Sequence, residues 1–192
     1  SQKMLDAGHP DLTFELGYFQ KTMPEHWEET PDKGEGYAAK VAAMGQAVTL
    51  REALKKLAAS GSSTSLAQAK SHINILKAMG QAGGISAKGL PGSVGDLVGK
   101  ADALFKKLAS ASFSKGDVAK FMNSIASDGN LTGSPSRKDA EQVFMTLDGL
   151  YGKYGSDEGV LNVLDGLYFS LYAEEGQPEP KYDGKAFGGK LA

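Results

Sequence analysis

Residues 147–168 read LDGLYGKYGSDEGVLNVLDGLY, and the word LDGLY both opens and closes the stretch. Laid on a helical wheel at about 100° per residue, Val143, Phe144, Leu147, Leu150, Tyr151 and Tyr154 share one face. Further on, Val160, Leu161, Leu164, Leu167, Tyr168 and Leu171 share another. Each LDGLY therefore turns its two leucines and its tyrosine toward a core, and the repeat reads as a packing pattern. It predicts two helices, near residues 136–154 and 157–174, lying antiparallel across the turn GKYGSDEG.

The glycines of the repeat need a separate reason. Gly149 and Gly166 both fall opposite their core stripes, where a glycine costs about 1 kcal/mol against alanine. Around Gly149 the outer face carries Met145 and Gly152, a shallow apolar notch. The second helix is apolar over more than half its circumference once Val163, Phe169 and Tyr172 are counted. Such a helix is either central or has a second surface to cover. The outer face around Met145, Gly149, Gly152 and Gly166 is thus expected to be covered by the N-terminal segment or by a partner.

Toward the N-terminus the text stays helical. Val94, Leu97, Val98, Ala101, Leu104, Phe105 and Leu108 step by three and four. Ser114 with Asp117 forms a capping pattern, with Phe113 and Val118 placed as a hydrophobic staple, and starts a helix to about Ser127. YAAKVAAMGQAV (37–48) reads as one helix, and Thr49 with Glu52 as the capping box of the next. GSSTS breaks the chain before Leu66–Leu76, and AGGISAKGLPGS is a Gly-rich connection. No strand alternation is present. The expected fold is all-α, an antiparallel bundle of about five to seven helices over residues 36–174. Before it, residues 1–35 read as an irregular arm with a short helix after Asp11, and after it residues 175–192 as a polar tail.

Composition limits the functions. Of 192 residues, 41% are hydrophobic and 23% charged, a globular balance, and the net charge of −2 does not favour nucleic acid. The absence of cysteine removes disulfides, thiolate zinc sites and cysteine nucleophiles. No apolar run is long enough to span a membrane, and SQKMLDAGHP has no signal-peptide h-region. The expectation is a soluble protein, either cytosolic or a mature exported or organelle-lumen form.

Candidate chemistry is sparse. DGNLTGSPSRKD (128–139) resembles the twelve-residue calcium loop of the EF-hand family. Asp128, Asn130 and Thr132 take the first ligand positions, Gly133 the turn, and Ser136 and Asp139 the later ones. Pro135 and the aspartate at the last position depart from that pattern. His9, His26 and His72 are the only imidazoles, and no spacing pre-orients a pair for zinc, copper or haem. His72 is expected at the surface or half-buried. No nucleophile elbow, triad spacing or phosphate loop is present. The arm concentrates Phe14, Tyr18, Phe19 and Trp27, which act either as a belt across a bundle or as anchors in a partner's pocket.

These signs point to a non-enzymatic accessory or structural subunit that works by protein association. In architecture alone it resembles the helical extrinsic subunits of photosystem II, which also set an irregular N-terminal arm before a bundle; that resemblance implies a peripheral place on a membrane complex. The alternatives are a carrier of a small molecule, pigment or haem between helices, and a hydrolase whose carboxylates the fold brings together.

Overall fold

The computed structural model describes residues 7, 13–22, 33–152, 156–174 and 176–192. In chain order the helices are α1 (Leu16–Thr22), α2 (Tyr37–Ser60), α3 (Ser63–Ala78), α4 (Val94–Ser110), α5 (Lys115–Ala126), α6 (Gly129–Gly133), α7 (Arg137–Tyr151), α8 (Glu158–Tyr168) and α9 (Gly184–Leu191). Among the described residues there is no strand, so the class is all-α, with a bundle-like packing. Within residues 36–174 the described helices are the seven from α2 to α8, inside the expected five to seven; α1 lies in the arm, where a short helix was expected, and α9 in the tail, where none was.

The organising element is α2. It buries Ala39, Ala42, Ala43, Ala47, Leu50, Ala53, Leu54 and Leu57 and packs against α1, α3, α4, α5 and α7. Its alanines let neighbouring helices approach closely. The break expected at Thr49 does not occur, since α2 runs unbroken for 24 residues. The Thr49 hydroxyl instead donates to the Gly45 carbonyl one turn back, at 2.9 Å. This back-bonding competes with the N-cap role and leaves the helix continuous. Gly61, in the left-handed region at φ 62°, ends it with an N–H to Leu57 O bond of 2.8 Å.

The other expected elements stand close to their predicted bounds. Leu97, Ala101, Leu104 and Leu108 form the buried stripe of α4, and Ser114 and Asp117 make a full capping box on α5. The second late helix is shorter than expected. α8 ends at Tyr168, and Leu171 reaches the core from the turn beyond it. The tail is not simply polar either: Tyr182 donates to Pro135 O at 2.7 Å, and α9 buries Phe187 and Leu191. Gly188 permits that docking, because a Cβ there would stand 2.2 Å from Thr132 O of α6.

The two LDGLY helices occupy different places. α7 is enclosed, with Val143, Phe144, Met145, Leu147 and Leu150 all buried and α1, α2, α3, α5, α8 and α9 around it. α8 lies against α7 and α9 and buries only Leu164 and Leu167 within its span. Leu161, expected on the core stripe, is 37% exposed.

Candidate functional site

Where the N-terminal segment meets the bundle, a run of polar groups is buried. α1 begins after Glu15, whose Oε2 accepts from the Tyr18 N–H at 2.7 Å. Asp11, after which this helix was expected, lies outside the described residues. The helix seats against α2 and α7 through glycines. A Cβ on Gly149 would come within 2.8 Å of Tyr18 N and 2.9 Å of Gly17 C. One on Gly45 would stand 3.2 Å from Leu16 Cβ. Lys21 pairs with Asp148 of α7 at 2.6 Å. Of the two coverings expected over the notch, the N-terminal segment is the one present at Gly149.

Beside this seat runs a chain of buried amides. Gln142 donates to Phe14 O at 3.2 Å and accepts from Gln46 Nε2 at 3.2 Å. Gln46 Nε2 also donates to Thr146 Oγ1 at 3.0 Å. The Gln46 carbonyl oxygen lies 2.7 Å from His72 Nδ1. Because that oxygen can only accept, Nδ1 carries the proton and Nε2 keeps a lone pair. His72 is therefore buried, contrary to the surface or half-buried position expected. Burial first, and the Lys138 charge second, push its pKa down to about 3, so the ring is neutral at physiological pH.

His72 lines a cleft of about 150 Å³ together with Thr13, Phe14, Lys56, Gln68 and Lys138. Lys138 donates to Thr13 Oγ1 at 2.7 Å and pairs with Glu141 at 3.4 Å; Thr13 also bonds Glu141. In a triad a carboxylate orients the histidine; here the amide of Gln46 does so. Glu15 is the one described carboxyl raised toward neutrality, and it does not line the cleft. What the cleft offers is hydrogen bonding and charge. Its volume also falls below the roughly 300–1,000 Å³ of sites that hold drug-sized or cofactor-sized ligands.

The expected interface residues separate into groups. Phe14 is 45% exposed and stacks on Phe19 at 5.1 Å. From Phe19 the ring contacts continue through Tyr18, Phe144 and Tyr168 to Phe169, each step between 5.4 and 5.7 Å. Trp27, like His9 and His26, lies outside the described residues. Met145 is buried, whereas Gly152 ends α7 at φ 76° with open space beside it. Gly166 meets the C-terminal helix, where Lys190 Nζ donates to its carbonyl at 3.1 Å.

The calcium-like loop does not keep a loop's shape. Residues 129–133 form α6, and Asp128 caps it by accepting from Asn130 N and Leu131 N. Thr132 donates to Asp128 O at 3.1 Å. Ser136 caps α7, and Asp139 accepts from Ser136 at 2.7 Å and Asn74 at 3.2 Å. The proposed ligand oxygens are thus spent on two helix N-termini. Among the described residues no group of three or more His, Asp or Glu could hold a metal ion.

Sequence reasoning passed over Glu15, Gln46, Gln142 and Thr146. Gln46 carried a usable signal, being a polar residue within the apolar run of α2. Glu15 carried none, since glutamate is not a preferred N-cap. No protein-family model matches the chain, and neither a curated protein nor a solved structure resembles it significantly.

Proposed function

We propose that the chain is a non-catalytic accessory subunit that acts through protein association, and that the outer edge of α8 is its contact surface. The observation that carries this reading is the exposure of apolar side chains there: Leu161 at 37%, Val163 at 42% and Phe169, just past the helix, at 48%. Large apolar side chains left exposed on one short helix are the kind of feature that marks interaction sites. Leu161, Asp165 and Phe169 follow one another at four-residue spacing along one line of α8. Asp157 and Glu158 stand at its start, and α8 contains no Lys or Arg. The partner that fits is a protein surface with an apolar patch bordered by Lys or Arg. Phe169 also joins the ring contacts that cross the core to Phe14, so the contact edge is braced by buried Phe144.

The test is native mass spectrometry and sedimentation on the protein taken from its own source, beside a variant with Leu161→Ser, Val163→Ser and Phe169→Ser. The variant should keep its helical circular dichroism and lose the complex. A complex unchanged by the three substitutions would refute the α8 assignment.

A second reading, a carrier of a ligand of a few heavy atoms, is favoured by the His72 lone pair and the Lys56 ammonium at one cleft. Titration with small hydroxycarboxylates, whose hydroxyl can donate to the imidazole and whose carboxylate can pair with Lys56, read by the His72 imidazole resonances, separates it from the first.

A further inference from the structure

Glu15 sits in a closed place. It is 2% exposed, with Gly45 of α2 on one side and Gly149 of α7 on another. Its Oε2 is satisfied by Tyr18 N–H, but among the described residues its Oε1 has no hydrogen-bond partner. A carboxylate buried with one oxygen bare is far more costly than the neutral acid.

Its charged neighbours do not remove that cost. From α7, Asp148 adds a second negative charge, itself paired with Lys21 of α1. On α1, Tyr18 keeps its proton past pH 10, raised by burial and then by Asp148 and Tyr168. α2 approaches through Gly45. On α3, His72 is linked to the same seat through Gln46 and Gln142 and is neutral above about pH 3. Thr13, two residues before Glu15, is held by Lys138 and Glu141 of α7.

We propose that Glu15 is a proton-operated latch on the N-terminal segment. Protonated, it lets α1 seat between Gly45 and Gly149. Ionised, it loosens α1, and with it Thr13 and Phe14, which form one wall of the cleft lined by His72. The device is independent of what α8 binds.

Burial, offset in part by the N–H groups of Tyr18 and Gly17, lifts the Glu15 pKa from 4.5 to about 7. A folded-state pKa above the unfolded one means that docking has its full strength below pH 4.5. Docking weakens as pH rises toward 7 and then levels off. From pH 5.5 to 8 the docking constant should fall about 30-fold.

Amide hydrogen exchange reads this directly, even when the open form is rare. α1 has seven residues, too few to persist as an isolated helix, so protection of its amides reports docking. Corrected for intrinsic rates, protection at Phe19 in the full chain should drop about 30-fold between pH 5.5 and 8. The drop should vanish in Glu15→Gln, which is neutral throughout. Gly149→Val, whose side chain would collide with Tyr18 N, supplies the undocked reference. A flat wild-type profile, or the same drop in Glu15→Gln, would overturn the proposal. The carboxyl carbon-13 titration of unsubstituted protein needs no variant: a Glu15 midpoint near 7 supports the latch, and one near 4.5 overturns it.

Discussion

The two LDGLY words make an internally controlled experiment, because Gly149 and Gly166 are the same residue in the same local sequence on different helices. Changing either to alanine gains about 1 kcal/mol of helix propensity. At Gly166 the new methyl meets Lys190 Cδ at 3.8 Å, an ordinary contact, so the gain should survive as about 0.5–1 kcal/mol of added stability. At Gly149 the methyl would lie 2.8 Å from Tyr18 N and 2.9 Å from Gly17 C. Both are backbone atoms and cannot step aside without lifting α1. Overpacking of this kind costs about 1–3 kcal/mol. The propensity term is common to both variants and cancels in their difference. Gly149→Ala should therefore be less stable than Gly166→Ala by about 1–3 kcal/mol. Urea unfolding followed by circular dichroism at fixed pH measures the difference. Agreement of the two variants within about 0.5 kcal/mol would mean that α1 does not press on α7, and the account of the seat would fail.

Phe187→Ala should cost about 3–5 kcal/mol, measured by the same urea unfolding, because the ring is fully buried; a loss under about 1 kcal/mol would show that the C-terminal helix is a mere appendage. Gln46→Ala strands the buried His72 N–H and the Gln142 and Thr146 oxygens. Each group left unsatisfied costs about 1–3 kcal/mol, so Gln46→Ala should lower stability by at least that much in urea unfolding, and a loss below about 1 kcal/mol would refute the network. For His72 the folded pKa of about 3 lies below the reference of 6.5. Its contribution is complete above pH 6.5 and is lost as pH falls, opposite in sign to that of Glu15. Between pH 4.5 and 6.5 the two effects, each about 2 kcal/mol, should nearly cancel in wild type; Glu15→Gln should then lose about 2 kcal/mol more stability than wild type on going from pH 6.5 to 4.5.

What the sequence made legible was the part carried by one-dimensional periodicity. The α4 stripe and the Ser114 cap follow from spacing and stand where their residues put them, and both late helices are present, the second ending early at Tyr168. Readings failed where one residue type can serve two roles, or where only the fold supplies the partner. Thr49 looked like a cap because spacing alone does not separate a capping hydroxyl from one that bonds Gly45 a turn back. Asp128 and Asp139 illustrate why sequence leaves two readings open, since capping, which both serve here, and coordination draw on the same oxygen-bearing side chains. The tail looked polar because one phenylalanine among glycines and lysines hardly changes a composition, yet that ring is among the most buried side chains in the fold. The Glu15 seat was the least legible part. It needs three glycines, Gly17, Gly45 and Gly149, that only the folded chain brings to one carboxyl.

The same five letters end in unlike surroundings, and that contrast bears on function. α7 needs its apolar residues, since helices enclose it on most sides and even Met145 is covered. α8 packs with two neighbours, for which Leu164, Leu167 and the later Leu171 suffice. Leu161, Val163 and Phe169 are surplus to the core, and exposed side chains of that size favour self-association or aggregation unless something covers them. Asp157, Glu158 and Asp165 beside them supply charge that opposes pairing of α8 with a second copy of itself. On the proposed reading, the carboxylates set among these apolar side chains weigh against pairing with a second copy and in favour of a basic partner. That asymmetry is the physical ground for assigning α8, rather than the buried seat of α1, to contact with another protein.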